Sequence, residues 1–292
     1  MVEITVAQIG KLRQQTGAGM MDCKKALTEN DGDLEAATEW LRKKGTATAE
    51  KKSSRTTSEG VIARHLSADG KSGTLVEVNC ETDFVAKNES FQEFCNEAAT
   101  ALNENPEADL EEKRANMVAE IGENVRFTRH QSLGIDGNGA VAAYIHHGAK
   151  VGVLVAAKTG KTETADSDAF KALLRDLTLQ ITAASPAVVN RGEMDQKTVD
   201  KEREFAAEQF KDKPAQAIEK IVEGKMEKYF SEYCLVDQPF VKQGDLTVKD
   251  HIVAVGKELE DSINVKGFLR FQVGETQEAP SIYKPYEPKT PK

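Results

Sequence analysis

The chain is short of the residues that build covalent or metal-based chemistry. Its four cysteines, Cys23, Cys80, Cys95 and Cys234, are scattered without a Cys-x-x-Cys pair. That excludes a local zinc ribbon, disfavours a disulfide framework and fits a reducing compartment. Five histidines include one adjacent pair, His146-His147, which lacks the i, i+4 spacing of a helical metal site. A Cys80–His65 dyad has no orienting group or oxyanion donor in view. Gly-x-x-x-x-Gly-Lys-[Ser/Thr], Gly-x-Gly-x-x-Gly and Gly-x-Ser-x-Gly are all missing, so nothing points to a resident nucleotide or an esterase nucleophile. No apolar run approaches the ~18 residues that span a bilayer. Met1-Val2-Glu3-Ile4-Thr5 lacks the basic and apolar stretches of a secretory signal, which sets the expectation of a cytoplasmic protein off the membrane. A net charge of -9 argues against general binding to nucleic acid. The expectation is a protein that binds a partner, with no catalytic residue, metal or cofactor.

At 292 residues the chain exceeds one compact core. Residues 1–45 read as a three-helix module. Val6, Ile9 and Leu12 mark one helix, Met20, Met21 and Leu27 a second after Thr16-Gly17-Ala18-Gly19, and Leu34, Ala37, Trp40 and Leu41 a third. Met20 and Met21 suit either core filling or an adaptable contact surface, and one of the two is expected to face outward. Residues 46–59 carry much of a basic run, Arg42, Lys43, Lys44, Lys51, Lys52 and Arg55, without apolar periodicity. They read as a solvated linker, with phosphate contact as the alternative.

Beyond the linker the chain repeats itself. Gly60-Val61-Ile62-Ala63 aligns with Gly139-Ala140-Val141-Ala142, and Gly73-Thr74-Leu75-Val76 with Gly152-Val153-Leu154-Val155, both at an offset of 79. The same offset places Phe91 on Phe170 and Ala98 on Leu177. Each copy reads as a hairpin followed by a helix, which needs a third strand to bury a face. Asn124–Arg129 and Gly267–Val273 are the candidates. The fold class is therefore α+β, with one core subdomain over 60–138 and another over 139–190 and 235–274. Residues 191–234 form an inserted helical hairpin, with Val199, Phe205, Ala206 and Phe210 on one arm. Ala217, Ile218, Ile221, Val222, Met226 and Tyr229 mark the other. Such a hairpin has little core of its own and suits packing on a second copy. Residues 275–292 hold four of the eight prolines and read as an extended tail.

The copies differ after the second hairpin strand. Copy one continues Cys80-Glu81-Thr82-Asp83-Phe84-Val85, copy two Thr159-Gly160-Lys161-Thr162-Glu163-Thr164. A polar loop suffices to join strand to helix, so the aromatic is an addition to the framework. Phe84 either folds back on Phe91 or Val78, or enters a partner.

Leu12 to Leu27, with its Thr-Gly-Ala-Gly-Met-Met-Asp-Cys-Lys-Lys centre, and Glu77 to Lys87 together resemble the two signature segments of the bacterial elongation factor Ts family, the guanine-nucleotide exchange factors of elongation factor Tu. The likeness runs over about 2–274. It implies a ubiquitin-associated-like module, a core of two related subdomains and a coiled-coil dimerisation hairpin. It also implies roles for residues. Thr82, Asp83, Phe84 and Val85 would displace the partner's magnesium ion, with Phe84 as a wedge between two helices. Met20, Met21 and Lys24 would dock the module, and His147, with His146 as the alternative, would make a second contact. The C-terminal helix that the resemblance implies is incompatible with Ala279-Pro280-Ser281-Ile282-Tyr283-Lys284-Pro285. The competing expectation is an interaction scaffold in which the helical module binds another protein and Phe84 is buried.

Overall fold

In the computed structural model, which describes residues 3–275, Thr5 and Gln8 form a capping box at the head of α1 (Val6–Thr16). Ile9 and Leu12 of α1 pack on Cys23, Ala26 and Leu27 of α2 (Met20–Glu29) and on Ala37 and Leu41 of α3 (Leu34–Lys52). The inward stripe of α2 is thus the small-residue one. Met20 and Met21 are 50% and 76% exposed, so both face outward where one was expected to, and Val6 is exposed as well.

The expected linker begins too early. α3 runs to Lys52, and its buried face continues from Leu41 through Gly45 and Ala49 at i, i+4 and i+8. Those residues are too small to register as an apolar stripe. They let the helix come close to its neighbour, since a Cβ on Gly45 would lie 3.5 Å from the Ala115 carbonyl oxygen. Only residues 53–58 connect. The basic run is largely engaged: Arg42 and Lys43 pair with Glu39, Lys44 with Asp22, and Arg55 with Glu81, while Lys52 donates to the Gly122 carbonyl.

The first half-core is β1 (Glu59–Leu66), β2 (Ser72–Cys80), the one-turn helix α4 (Asp83–Ala86), α5 (Glu89–Glu104), α6 (Glu111–Ile121) and β3 (Arg126–Gly134), with sheet order β1-β2-β3. The second is β4 (Gly139–Ile145), β5 (Val151–Thr159), α7 (Thr162–Asp166) and α8 (Asp168–Ala184). It continues with the hairpin α9 (Gln196–Glu208) and α10 (Ala215–Tyr233), the short β6 (Pro239–Phe240) and β7 (Gln243–Thr247), α11 (Val248–Glu258) and β8 (Ile263–Gln272). Its sheet order is β4-β5-β8. The third strands are longer than expected and start two residues later in β3 and four earlier in β8. The helices α6 and α11 were not anticipated. The repeat extends into detail: the register irregularities fall at Glu77/Val78 and at Ala156/Ala157, again 79 apart. Gly60 and Gly139 both have positive φ, and a Cβ on either would meet a carbonyl oxygen of the neighbouring strand at 2.3 Å.

The two sheets stack face to face. Ile62, Leu75, Ile135, Val141, Leu154, Ala156 and Phe271 fill the space between them. Val76, Val78 and Cys80 face the helical layer with Phe91 and Phe94, and Val153, Val155 and Ala157 face Phe170, Leu173 and Leu177. Central strands β2 and β5 are covered on both faces, so they read as continuous apolar runs. Glu77, fully buried, spans the seam: it accepts from Arg129 Nε at 2.8 Å and from the Gly274 N–H at 2.8 Å, and Arg129 stacks over Phe271. At the base of the hairpin Arg191 makes a bidentate pair with Glu227 at 2.7 Å and bonds Asp237. The expected 275–292 tail, apart from Glu275, lies outside the described residues. Among the described residues no helix is long and apolar enough to cross a membrane.

Gly152 tests the seam. A Cβ there would sit 2.5 Å from Ile62 Cγ2, so Gly152→Ala is expected to destabilise the fold by ~1–3 kcal/mol in urea unfolding. An unchanged midpoint would mean the sheets part without cost.

Candidate functional site

Strand β2 ends at Cys80, and the backbone turns through Glu81 and Thr82 into α4. Thr82 caps α4, its Oγ1 accepting from the Val85 N–H at 3.4 Å, while Asn88 caps α5 through the Ser90 and Phe91 N–H groups. One turn between two caps leaves little freedom. Val85 packs on the first core and Ala86 is buried, and the 100° step per residue then turns Asp83 and Phe84 outward. Phe84 is 81% exposed. Neither folding back onto Phe91 or Val78 nor the buried Phe84 of the scaffold expectation occurs.

The sister loop supplies a control inside the same chain. Helix α7 buries Thr164 and Ala165 where α4 packs Val85 and Ala86, and Glu163 stands, exposed, where Phe84 does. The framework is satisfied by glutamate at that position. A bare ring there has no role in folding.

Asp83 is paired with Lys87 at 2.6 Å, one turn on. That hydrogen bond, joined by the Lys87 charge and opposed by burial, holds the Asp83 carboxyl below its usual range; Lys150 adds a weaker pull in the same direction. Asp83 is therefore an anion at neutral pH. Lys150 also donates to Glu59, at the start of β1, and to the Gly60 carbonyl. The β4–β5 turn is thereby pinned beside the α4 loop, reinforced by the Ile62 N–H donating to the Ala149 carbonyl at 2.7 Å. His146 and His147 are both exposed on this turn. His146 Nδ1 lies 3.2 Å from the Tyr144 hydroxyl. His147 stands at the corner.

Sequence patterns missed what holds α4. Glu123, just past the end of α6, accepts from the Glu81 and Thr82 N–H groups at 3.0 Å each and from the Thr82 hydroxyl at 2.7 Å. Glu81 in return accepts from the Asn124 N–H at 2.6 Å. The only trace in the sequence is a carboxylate and an amide after a helix-ending glycine.

The Cys80–His65 dyad does not form. Glu59 pairs with Cys80 and His65 with Thr74, so the two lie toward opposite ends of β1. Burial first, then the Glu123 charge, push the Cys80 thiol up to about 12. It is a neutral donor to the Thr82 carbonyl at 3.2 Å.

A family model described as elongation factor Ts matches residues 81–275, and a second, described as elongation factor Ts, mitochondrial, N-terminal, matches residues 1–49. Elongation factor Ts of Trichlorobacter lovleyi is 43% identical over 291 residues, covering 93% of each chain. That of Clostridium novyi is 41% identical over 290 residues, again 93% of each. That of Desulfovibrio desulfuricans is 40% identical over 285 residues, 94% of this chain and 99% of the relative. The chain belongs to the elongation factor Ts family. The family match places α4, the β4–β5 turn and the hairpin within one stretch, and the three-helix module within another. Met20, Met21 and Lys24 are exposed together at the start of α2, in a module with its own core. The chain thus exposes Met20 and Met21 beside Lys24 in one place and the Phe84 ring on a capped turn in another.

Thiol chemistry gives a direct check on the loop. With all four cysteines buried, iodoacetamide at pH 8 should leave them unmodified in the folded protein and label them in urea. Native labelling of Cys80 at the rate of a free thiol would contradict its packing.

Proposed function

We propose that this chain is a guanine-nucleotide exchange factor of elongation factor Tu in translation elongation. It binds the GDP form, weakens the hold of magnesium and nucleotide, and stays on the nucleotide-free partner until GTP enters. It is not an enzyme in the bond-making sense, needs no cofactor, and works in the cytoplasm with its partner, without direct contact to nucleic acid or membrane. The observation that carries this is the exposed Phe84 on a capped one-turn helix, at a position where the sister copy has Glu163.

In this mechanism Phe84 wedges between two helices of the partner, with Val85 and Thr82 holding the turn. Asp83 enters as an anion and disturbs the water shell of the partner's magnesium ion, exchanging its Lys87 contact for new ones. Met20, Met21 and Lys24 dock the module, which has the size and helix count of a ubiquitin-associated-like unit. His147 makes the second core contact, favoured over His146 because the latter is occupied with Tyr144. The two half-cores act as related subdomains that present these loops together.

Burying one Phe is worth ~1.5–3 kcal/mol, roughly ten- to a hundredfold in an equilibrium. An exchange factor must weaken nucleotide binding by more, so the wedge, the lost magnesium clamp and the module contacts act jointly. By linkage, GDP weakens binding of the factor by the same factor that the factor weakens GDP. A scaffold would show no such dependence on nucleotide.

Phe84→Ala is expected to slow release of fluorescent GDP in stopped flow by about ten- to a hundredfold while complex formation persists through the module. An unchanged rate would remove the wedge.

The hairpin is proposed as a coiled-coil self-association arm. Phe205 is half exposed beside Met226 and Tyr229, in a groove rimmed by Glu202, Lys225, Lys228 and Glu232, a charge pattern that a second copy can match. Phe205→Lys should shift any dimer to monomer in sedimentation equilibrium, and a mass unaffected by it would exclude this arm.

A further inference from the structure

We infer that Glu123 is the positioning residue of the exchange loop, acting through the backbone of Glu81 and Thr82 to aim Phe84; the inference rests on the wedge reading above. One carboxylate collects three donors, the Glu81 and Thr82 N–H groups and the Thr82 hydroxyl. That fixes both the turn out of β2 and the residue that caps α4. The Glu81 carboxylate reaches back to the Asn124 N–H, and the Asn124 side chain donates to the Ser53 and Arg55 carbonyls. The loop, the start of the third strand and the end of the module's last helix therefore meet in one clasp.

The second copy has the same device without the ring. Asp261 accepts from the Gly160 and Lys161 N–H groups at 3.1 and 2.8 Å, positions 79 beyond Glu81 and Thr82. Asp261 lies 138 beyond Glu123 because the hairpin and the segment after it intervene. The anchor is therefore framework in origin. Each anchor also takes a threonine hydroxyl, Thr82 on Glu123 and Thr164 on Asp261, and in copy one it carries, two residues beyond Thr82, Phe84 as its load. A ring on a free loop would sample many directions before docking, whereas a ring on a clasped turn meets the partner already oriented.

The test uses full-length variants and two readouts. Glu123→Ala should slow GDP release about tenfold, the scale of a hydrogen bond to a charged group. Thr82→Val, which removes the hydroxyl donor to Glu123 and with it the cap on the Val85 N–H but leaves both N–H donors in place, should slow it about three- to tenfold and serves if the first variant folds poorly. Glu123→Gln keeps one acceptor oxygen for the two N–H groups while its amide can donate to the Thr82 hydroxyl, and should slow release by no more than about threefold; Asp261→Ala, which releases only the sister loop, should stay within about twofold of the parent. Amide hydrogen exchange in the free protein should speed up at Glu81 and Thr82 in Glu123→Ala and at Gly160 and Lys161 in Asp261→Ala. In a Phe84→Ala background Glu123→Ala should add nothing, because there is no ring left to aim. A parent rate for Glu123→Ala beside a slow Phe84→Ala overturns the positioning role alone. So does an equal slowing by Glu123→Ala with and without the ring. A parent rate for Phe84→Ala overturns the wedge, and the aiming of it falls with it.

Discussion

Everything else in the core depends on two sheets closing on each other across Ile62, Leu75, Val141, Leu154 and Ala156. Because β2 and β5 are covered on one face by the opposite sheet and on the other by a helix, a one-residue slip would exchange their two faces, taking Glu77 off Arg129 in β2 and putting a side chain where only Gly152 fits in β5. The loops at their ends inherit that rigidity. The α4 turn stands at the exit of β2 and its sister at the exit of β5, so both start from strands buried on both faces. Gly152, with no room for a Cβ beside Ile62, and the buried Glu77–Arg129 pair show how closely the seam is fitted.

From one frame the two copies have taken different surfaces. Copy one carries an exposed ring, a paired aspartate and a clasp that ties its loop to the end of α3. Copy two keeps a polar loop but contributes the β4–β5 turn, which Lys150 fastens against β1, and carries the hairpin braced by Arg191. Duplication supplied a stable scaffold twice over. That one loop carries an exposed ring and the other an exposed glutamate is then a matter of a few surface residues, which the core does not constrain.

The parts of this architecture that were legible in the sequence are those written in large apolar residues at regular spacing. Phe91, Phe94, Ala98 and Leu102 mark α5, and the offset of 79 shows the duplication in the sequence itself. Where contacts are made by small residues the pattern fell silent: Gly45 and Ala49 carry the close packing of α3, and their low hydrophobicity made a helix look like a linker. Helix α11 had a usable signal in its Thr247–Asp250 capping box and in Val248 and Ile252. Of the site, Thr82 to Val85 could be found from the difference between copies. Glu123 could not, since its partners lie some forty positions away and a carboxylate after a glycine is common.

The sequence alone determined the duplicated α+β plan, the helical module and the oddity of Phe84 in an otherwise polar loop position, because periodicity and self-similarity are local properties of the chain. Only the tertiary structure decided that Phe84 points outward, that Met20 and Met21 both do, and that Glu123 holds the turn beneath the ring. Exposure and hydrogen bonding between distant segments depend on which surfaces the sheets and helices have already consumed, and no stretch of sequence records that by itself.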